Sequence, residues 1–376
     1  MTSQPVVVVG DGWAALAAVA FFVHTGVKVC WIAGTGSRLL AAHAGIEEEV
    51  GSEFWIHLAH LYQIPVGELH KGMFLREFRN KAWREPLWNR SINSAERAEV
   101  LKELLWEPER RFVLNHEVRL EKTLFELEEE LRKILLAGDV PHLRRIEGLP
   151  LSGFLTEDGG IRGVKLGSGE EILAQQVVYA DRWSILPTLE NFPKTLSFMR
   201  KRGPTGVLQA SFLHEPFLKE GVLESFFAPM HKESGEKIER HFWGCISSEG
   251  KRSVWAICLS PEEVEDNHEI AKKLRKLKSG LDKAFAGSDL IASGSATFTS
   301  TVSEEQIRFE EEVVFSEGEE LSSPIELPQV AGLLLMTDGY GPGFAIMQVG
   351  SALGVDVLRP DSKSEGMNMS DSTVLE

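Results

Sequence analysis

Cysteine is scarce in this 376-residue chain: Cys30, Cys245 and Cys258 are the whole supply, with no C-x-x-C spacing. That excludes a disulfide framework and leads us to expect buried thiols in a reducing, cytoplasmic setting. Basic charge is short as well. Forty Lys and Arg stand against 56 Asp and Glu, a formal net charge of −16, which is the wrong sign for non-specific nucleic-acid binding. Long apolar runs are missing too. The N-terminal one is interrupted by Gly10, Asp11 and Gly12 and has no basic stretch before it, so neither a membrane span nor a signal peptide is expected. No internal repeat is evident. What remains, 43% hydrophobic and 26% charged residues, is the composition of an ordinary globular protein. The length suits one large or two interleaved domains.

The rest of the chain is organised around Val6 to Arg38. Val6–Val9 are four β-branched residues in a row, which predicts a strand buried on both faces of a parallel sheet. Gly10 and Gly12 permit a tight turn and a close backbone approach to a ligand. Trp13 to Thr25 is apolar nearly all round and of helical length, with Gly26 placed to end it. Val27 to Ile32 predicts a second strand. Strand, G-x-G-x-x-A, helix, strand is the context of a dinucleotide-binding βαβ unit. A helix N-terminus leaves N–H groups without intrahelical partners and carries the positive end of the helix dipole, so a pyrophosphate satisfies both. Ala15 stands at the third glycine position, where a methyl is tolerated. The plainer alternative is a βαβ unit that packs well and binds nothing.

The second strand of such a unit commonly ends in a carboxylate for the ribose hydroxyls. Ala33 falls there instead, and the next carboxylate is Glu47. Loss of such a charge-assisted hydrogen bond weakens binding by about 1.5–3 kcal/mol, or roughly ten- to a hundredfold. A small residue followed by an Arg also accommodates a 2′-phosphate, so Arg38 leaves NADP open beside FAD, and a solvated surface Arg open beside both.

Further along, Gly51 to Gln63 has helical spacing and carries His57 and His60, read as a helix-surface or partly buried pair rather than metal ligands. Lys71 to Arg90 reads as a solvated strand pair over Trp83 and Trp88, or as an anionic site. Ser94 to Leu105 predicts an amphipathic helix. Thr123-x-x-Glu126 is a capping box opening a helix to about Leu136. Residues 153–160 form a hairpin turning at Asp158-Gly159, continued by Ile161 to Leu166 and Glu171 to Leu173. Gln176 to Asp181 reads as a buried strand. Val207–Phe212, Val222–Phe227, Arg240–Ser247 and Val254–Leu259 alternate as a second sheet. Ser260-Pro261-Glu262-Glu263 starts an interrupted helix ending near Phe285, whose Lys272, Lys273, Arg275, Lys276 and Lys278 read as a solvated face. Val330 to Met336 is a strand, followed by a Gly-rich turn over 337–343 and a helix over 344–358. The 361–376 tail is polar, Ser-rich and expected to be disordered.

Both ends together resemble the FAD-dependent amine oxidase superfamily, the group of monoamine oxidases, phytoene desaturases and protoporphyrinogen oxidases. The first βαβ resembles its N-terminal FAD motif. Residues 124–185, with EDGGIRGVKLGSGEEI and VVYAD, resemble its returning segment, and 330–358 resemble its C-terminal flavin motif. The resemblance implies an α/β fold with a discontinuous Rossmann-like FAD/NAD(P)-binding domain (1–63, 124–185 and 326–360). An inserted α+β substrate domain would occupy 64–123 and 186–325. It implies FAD as cofactor and hydride transfer from a small-molecule substrate, without naming a catalytic acid or base. Asp338 would hold the ribityl chain or pyrophosphate, and the helix after Gly343 would face the flavin. The expected cofactor-binding residues are Gly10, Asp11, Gly12, Trp13, Ala14, Ala15, Ala33, Arg38, Asp338, Gly339, Gly343, Phe344 and Ala345. Tyr340 and Phe344 are candidates to face the flavin, and Trp243 and Trp255 to wall a substrate cavity, each also readable as core. A single dinucleotide fingerprint argues against a reductase with its own second nucleotide domain. A homologue of this fold that has lost the cofactor is the competing reading.

Overall fold

The structure is a computed structural model. It describes residues 4–33, 45–46, 58–67, 70–71, 75–86, 105, 109, 118–119, 121–181, 183–192, 198–219, 224–230, 240–292, 296–300, 302–315 and 330–336. Within them the chain runs β1 (Val6–Val9), α1 (Trp13–His24), β2 (Val29–Ile32), β3 (Gly45–Ile46), β4 (His70–Lys71), β5 (Leu75–Arg79), β6 (Ala82–Arg84) and β7 (Val118–Arg119). Next come α2 (Leu124–Leu136), β8 (Leu143–Ile146), β9 (Leu151–Glu157), β10 (Gly160–Leu166), β11 (Glu171–Leu173) and β12 (Gln176–Tyr179). The remainder is β13 (Phe198–Leu213), β14 (Ser225–Pro229), β15 (His241–Ile246), β16 (Arg252–Leu259), α3 (Pro261–Glu265), α4 (Asn267–Phe285), β17 (Val302–Phe315) and β18 (Leu333–Leu335).

One sheet is parallel, in the order β18-β12-β1-β2-β8. Strand alternation divides its side chains between two cores. Val6, Val8, Val29, Trp31 and Val178 face α1 and the Leu127, Leu131 and Leu135 stripe of α2. Val7, Val9, Cys30, Ile32, Val177, Tyr179, Leu333 and Leu335 face the β9-β10-β11 meander through Phe154, Ile161, Val164, Leu166 and Ile172. The result is helices, sheet and meander in three layers. It explains why β1 is all valine: both faces are dry. Helix α1 is apolar all round for the same reason, with Ala14 to Phe22 at most 1% exposed.

Local signals in the sequence are honoured. The Thr123 hydroxyl accepts from the Glu126 N–H while the Glu126 carboxylate accepts from the Thr123 N–H at 2.8 Å. Asp158 and Gly159 both have positive φ (51° and 81°), the conformation of a two-residue type I′ hairpin. Ser260 and Glu263 form a second capping box, and the helix breaks at Asp266, which caps α4 in turn.

The other large sheet is mainly antiparallel, β17-β13-β16-β15-β14-β5-β6. It contains the four strands read by alternation and β17, which the sequence reading did not identify. The β5–β6 pair is a strand pair, with Trp83 buried between Phe78, Phe226 and Phe285. One face of this sheet packs on Leu274, Leu277, Leu281, Ala284 and Phe285 of α4. Trp255 lies on that face, 0% exposed, so it is core rather than cavity wall. The reading of α4's basic run as wholly solvated is corrected. Lys273 is 1% exposed and pairs with Glu263 at 3.0 Å, because it sits beside Leu274 on the stripe that turns inward. Among the described residues no helix is long and apolar enough to cross a membrane.

Candidate functional site

The turn between β1 and α1 lies at the carboxyl end of the central parallel strand, where open α/β sheets present their ligand crevice. Its two glycines have different geometry. Gly10 has φ +131°, and a Cβ there would meet the Ala180 carbonyl oxygen at 2.5 Å. Gly12 is the N-cap of α1 with φ −78° and ψ −177°, a conformation open to any residue. Gly10 is therefore glycine for the fold. Nothing in its own backbone demands that Gly12 be glycine, and without a side chain it leaves the helix end open to a close approach. The first turn of α1 holds no acidic residue, and Gly12 brings no side chain to the helix end. Ala14 and Ala15 are buried on the inner side of α1.

Asp11, between the two glycines, is drawn sideways. Arg132 of α2 donates from Nη1 to the Asp11 carboxylate and from Nη2 to the Asp11 carbonyl at 2.6 Å. The same guanidinium stands 5.8 Å from the centre of the Trp31 ring, and its Nη2 is 3.6 Å from Glu128 Oε1. Trp31 Nε1–H donates to the Gly10 carbonyl at 2.8 Å. Two consecutive carbonyls of the turn are thus tied to one side. In trans peptides the N–H points opposite to the C=O, so the N–H groups of Asp11 and Gly12 face away from Trp31 and Arg132. Arg132 and Trp31 were not named in the sequence reading. Arg132 is one charge on an amphipathic helix, and Trp31 reads as strand core.

Ala33 follows β2, is 8% exposed and donates its N–H to the Ile146 carbonyl at 3.0 Å. A methyl group stands where a ribose carboxylate was sought. Arg38, Asp338, Gly339, Gly343, Phe344 and Ala345, together with Tyr340, lie outside the described residues, and so do His57, Trp88, the 94–104 stretch and the tail. The backbone of Trp13 opens α1. His60 is exposed. Among the described residues no cluster of three His, Cys, Asp or Glu gathers to hold a metal.

Helix α2 also reaches the second sheet. Glu126 accepts from the Ser248 N–H at 3.0 Å and from its hydroxyl at 2.6 Å, and Glu129 pairs with Arg252, whose Nε donates to Ser211 Oγ at 2.9 Å. Residues three and four apart share a helix edge. Glu128 and Arg132 serve the glycine turn, whereas Glu126 and Glu129 serve the β15–β16 connection. The sheet face opposite α4 carries Gln209, Ser211 and Ser225 beside Phe227 and Trp243, all buried. At its far end the His241 ring stacks on Phe227 at 4.4 Å, with Nδ1 3.5 Å from the fully buried Glu109 carboxylate. Glu109 also accepts the His241 backbone N–H at 2.9 Å.

No protein-family model matches this chain, and no curated protein sequence matches it. Solved structures do match its fold. A geranylgeranyl bacteriochlorophyll reductase-like protein from Thermoplasma acidophilum is similar over 94% of this chain and 77% of its own, with 13% identity and a TM-score of 0.51. The myxobacterial chondrochloren halogenase CndH, described as a variant of FAD-dependent halogenases, is similar over 94% of this chain and 76% of its own, with 13% identity and a TM-score of 0.51. The peptidyl tryptophan dihydroxylase QhpG gives 14% identity and a TM-score of 0.48 over 93% of this chain, which spans 66% of that protein's length. At these identities the likeness is one of fold: an α/β chain with the Rossmann-type parallel sheet found in FAD-dependent enzymes.

Proposed function

We propose that this chain is an FAD-dependent oxidoreductase that seats the dinucleotide's pyrophosphate on the Gly10–Ala15 turn and acts on a small organic molecule. The observation that carries this is the contrast between the two glycines. Gly10 is required by the Ala180 carbonyl, while Gly12 is side-chain-free at a helix N-cap for no reason of backbone geometry. That is what a close diphosphate approach asks for. The fold likeness to an FAD-dependent halogenase points the same way.

The residues fit the diphosphate better than the adenosine ribose. Gly12 and the α1 N-terminus would receive the phosphates, while Ala33 offers the ribose only a methyl and a backbone. The missing 2′/3′-hydroxyl partner favours weak, exchangeable binding. It is also the observation behind a second reading, in which the fold persists without FAD or takes NADP through Arg38. Bound flavin supplies the hydride and electron chemistry itself. The chain's task is to bind, orient and exclude water. For this we assign the face of Gln209, Ser211, Ser225, Phe227 and Trp243, apolar enough to dry a substrate and polar enough to orient it.

This assignment carries the division into a nucleotide domain (1–63, 124–185, 326–360) and an inserted substrate domain (64–123, 186–325). The parallel sheet draws strands from the first set, and the seven-stranded sheet from the second. Within the class we keep hydride removal from a small substrate, as in the amine oxidase group. Residues 337–345 would then complete the flavin site.

The test is titration of purified protein with FAD, NADP and NAD, read by flavin absorbance and thermal shift. FAD is expected to bind and stabilise the protein. Protein that stays colourless and unshifted with FAD would end this reading, and stabilisation by NADP alone would replace it with the Arg38 reading. Bleaching of bound flavin by amines without oxygen or NADPH would support hydride removal from substrate.

A further inference from the structure

We propose that Arg132 is a positioning residue that keeps the Asp11 carboxylate off the diphosphate position, so that the turn is open to a dinucleotide rather than closed by its own side chain. This rests on the FAD reading above. Aspartate is among the residues that most readily cap a helix N-terminus, and its charge is favoured near the positive end of a helix dipole. Asp11 stands immediately before the N-cap of α1. Left alone, its carboxylate would settle over the helix end, where it competes with a phosphate for the same field and repels it. Arg132 prevents this with two bonds, one to the carboxylate and one to the Asp11 carbonyl. The guanidinium is in turn held over the Trp31 ring, and Trp31 holds the Gly10 carbonyl. Arg132 is shared with the buried Glu128, and its bond to Asp11 draws that carboxylate away from the ligand position.

The arrangement predicts an asymmetry that a purely structural brace would not produce. Arg132→Met keeps a long stem over Trp31 and releases Asp11, so FAD affinity falls by roughly ten- to a hundredfold. Asp11→Asn keeps a hydrogen-bonding side chain and removes the competing charge, so affinity stays within about threefold of wild type or improves. The double variant regains affinity to within about threefold of wild type, because the anion that Arg132 restrained is gone. The Arg132→Met defect also shrinks between 50 mM and 500 mM salt, since repulsion between exposed like charges is screened.

The experiment is fluorescence titration of FAD into wild type, the two single variants and the double variant at both salt concentrations, with circular dichroism melts of each apo protein. Arg132→Lys serves if Arg132→Met does not fold; it keeps the charge but not the fork, and an intermediate loss restored by Asp11→Asn is expected. A double variant as weak as its Arg132 parent would overturn the proposal by making Arg132 a brace or a direct phosphate ligand. So would full affinity in Arg132→Met. If wild type itself binds no FAD, the cofactor reading fails before any substitution is made and this inference goes with it, whereas normal wild-type binding without rescue overturns only the role of Arg132.

Discussion

The two large sheets bury their residues for different ends. The parallel sheet is dry on both faces, one against α1 and α2 and the other against the meander. Its central strands turn apolar side chains to both faces, so a ligand is expected at the strand ends, in turns. The seven-stranded sheet packs one face on α4. Its other face buries Gln209, Ser211 and Ser225 among aromatics, and burying polar groups is costly unless they have partners or work to do. Ser211 has such a partner in Arg252, so one sheet serves as a frame for a turn, and the other buries polar groups that are held in place. α2 touches both, through Arg132 and through Glu126 and Glu129.

The sharpest way to break this comparison uses the two glycines. Gly12→Val places a branched side chain at the helix end without forbidden backbone, since φ is −78°. FAD affinity is expected to fall by about a hundredfold or more while the melting temperature stays within a few degrees. Gly10→Ala is expected to do the opposite. Its φ of +131° and the 2.5 Å approach to Ala180 O cost roughly 3 kcal/mol or more, and denaturant midpoints would fall accordingly. If Gly12→Val binds FAD normally, the turn is not the cofactor site.

A comparable loss of stability, confined to the other sheet, is expected for Phe285→Ala. Phe285 is 0% exposed and its ring lies 5.1–5.9 Å from those of Trp83, Phe217, Phe226, Trp255 and Phe298. Removing it should cost about 3–5 kcal/mol and leave FAD affinity at the turn unchanged where the variant is still folded. Weakened FAD binding in folded Phe285→Ala would show that the two sheets are not separable in this way.

Local physics was legible in the sequence and long-range pairing was not. The βαβ unit, both capping boxes and the Asp158-Gly159 hairpin are set by neighbours within a few residues, and each appears where the sequence put it. Strand β17 was missed because Glu304, Glu305, Glu310, Glu311 and Glu312 break up its apolar alternation. What identifies it is pairing with β13, about a hundred residues earlier. The Asp11–Arg132 bond spans 121 residues and leaves no mark at either end. Lys273 looked like one more charge in a basic run until Glu263 supplied a half-buried partner. Of the candidate site, the turn is seen in the fold, while 337–345 lie outside the described residues.

That partner gives the next prediction. Glu263 accepts from Arg240 and the Ser260 N–H and pairs with Lys273. Burial alone would push its carboxyl up, but these bonds hold it below its ordinary value of 4.5. A carboxylate held low stabilises the fold above its unfolded value, and that stability is lost as pH falls through the folded value. Glu263→Gln should therefore lower stability at pH 7 by roughly 1–2 kcal/mol, between the values for exposed and for buried ion pairs. It should also flatten the acid limb below pH 4.5. Chemical denaturation at pH 3, 5 and 7 reads both effects. An unchanged acid limb would return the cluster to the solvated face first expected of it.

The last expected effect tests the meander side of the parallel sheet. Cys30 points from β2 into the core formed with Phe154, Ile161 and Leu166, and burial pushes its thiol from 9.0 to about 11, with Arg144 pulling it down and Glu170 up. The neutral thiol is thus favoured in the folded state. Between pH 9 and 11 the unfolded chain releases a proton that the folded chain keeps, so stability falls with rising pH, by about 2–3 kcal/mol in all. Tyr62, also raised by burial, adds to the same slope above pH 10, so the contribution of Cys30 has to be taken as a difference. Cys30→Ala should lose some stability at pH 7 from the small cavity, yet decline less steeply than wild type from pH 9 to 11, and the gap between the two curves isolates the thiol. Native Cys30 should also resist alkylation at pH 8, where a neutral, buried sulfur is a poor nucleophile. Parallel curves for the two proteins, with rapid labelling of Cys30, would show that this face of the sheet is not the dry layer that sets it apart from the face carrying Gln209 and Ser211.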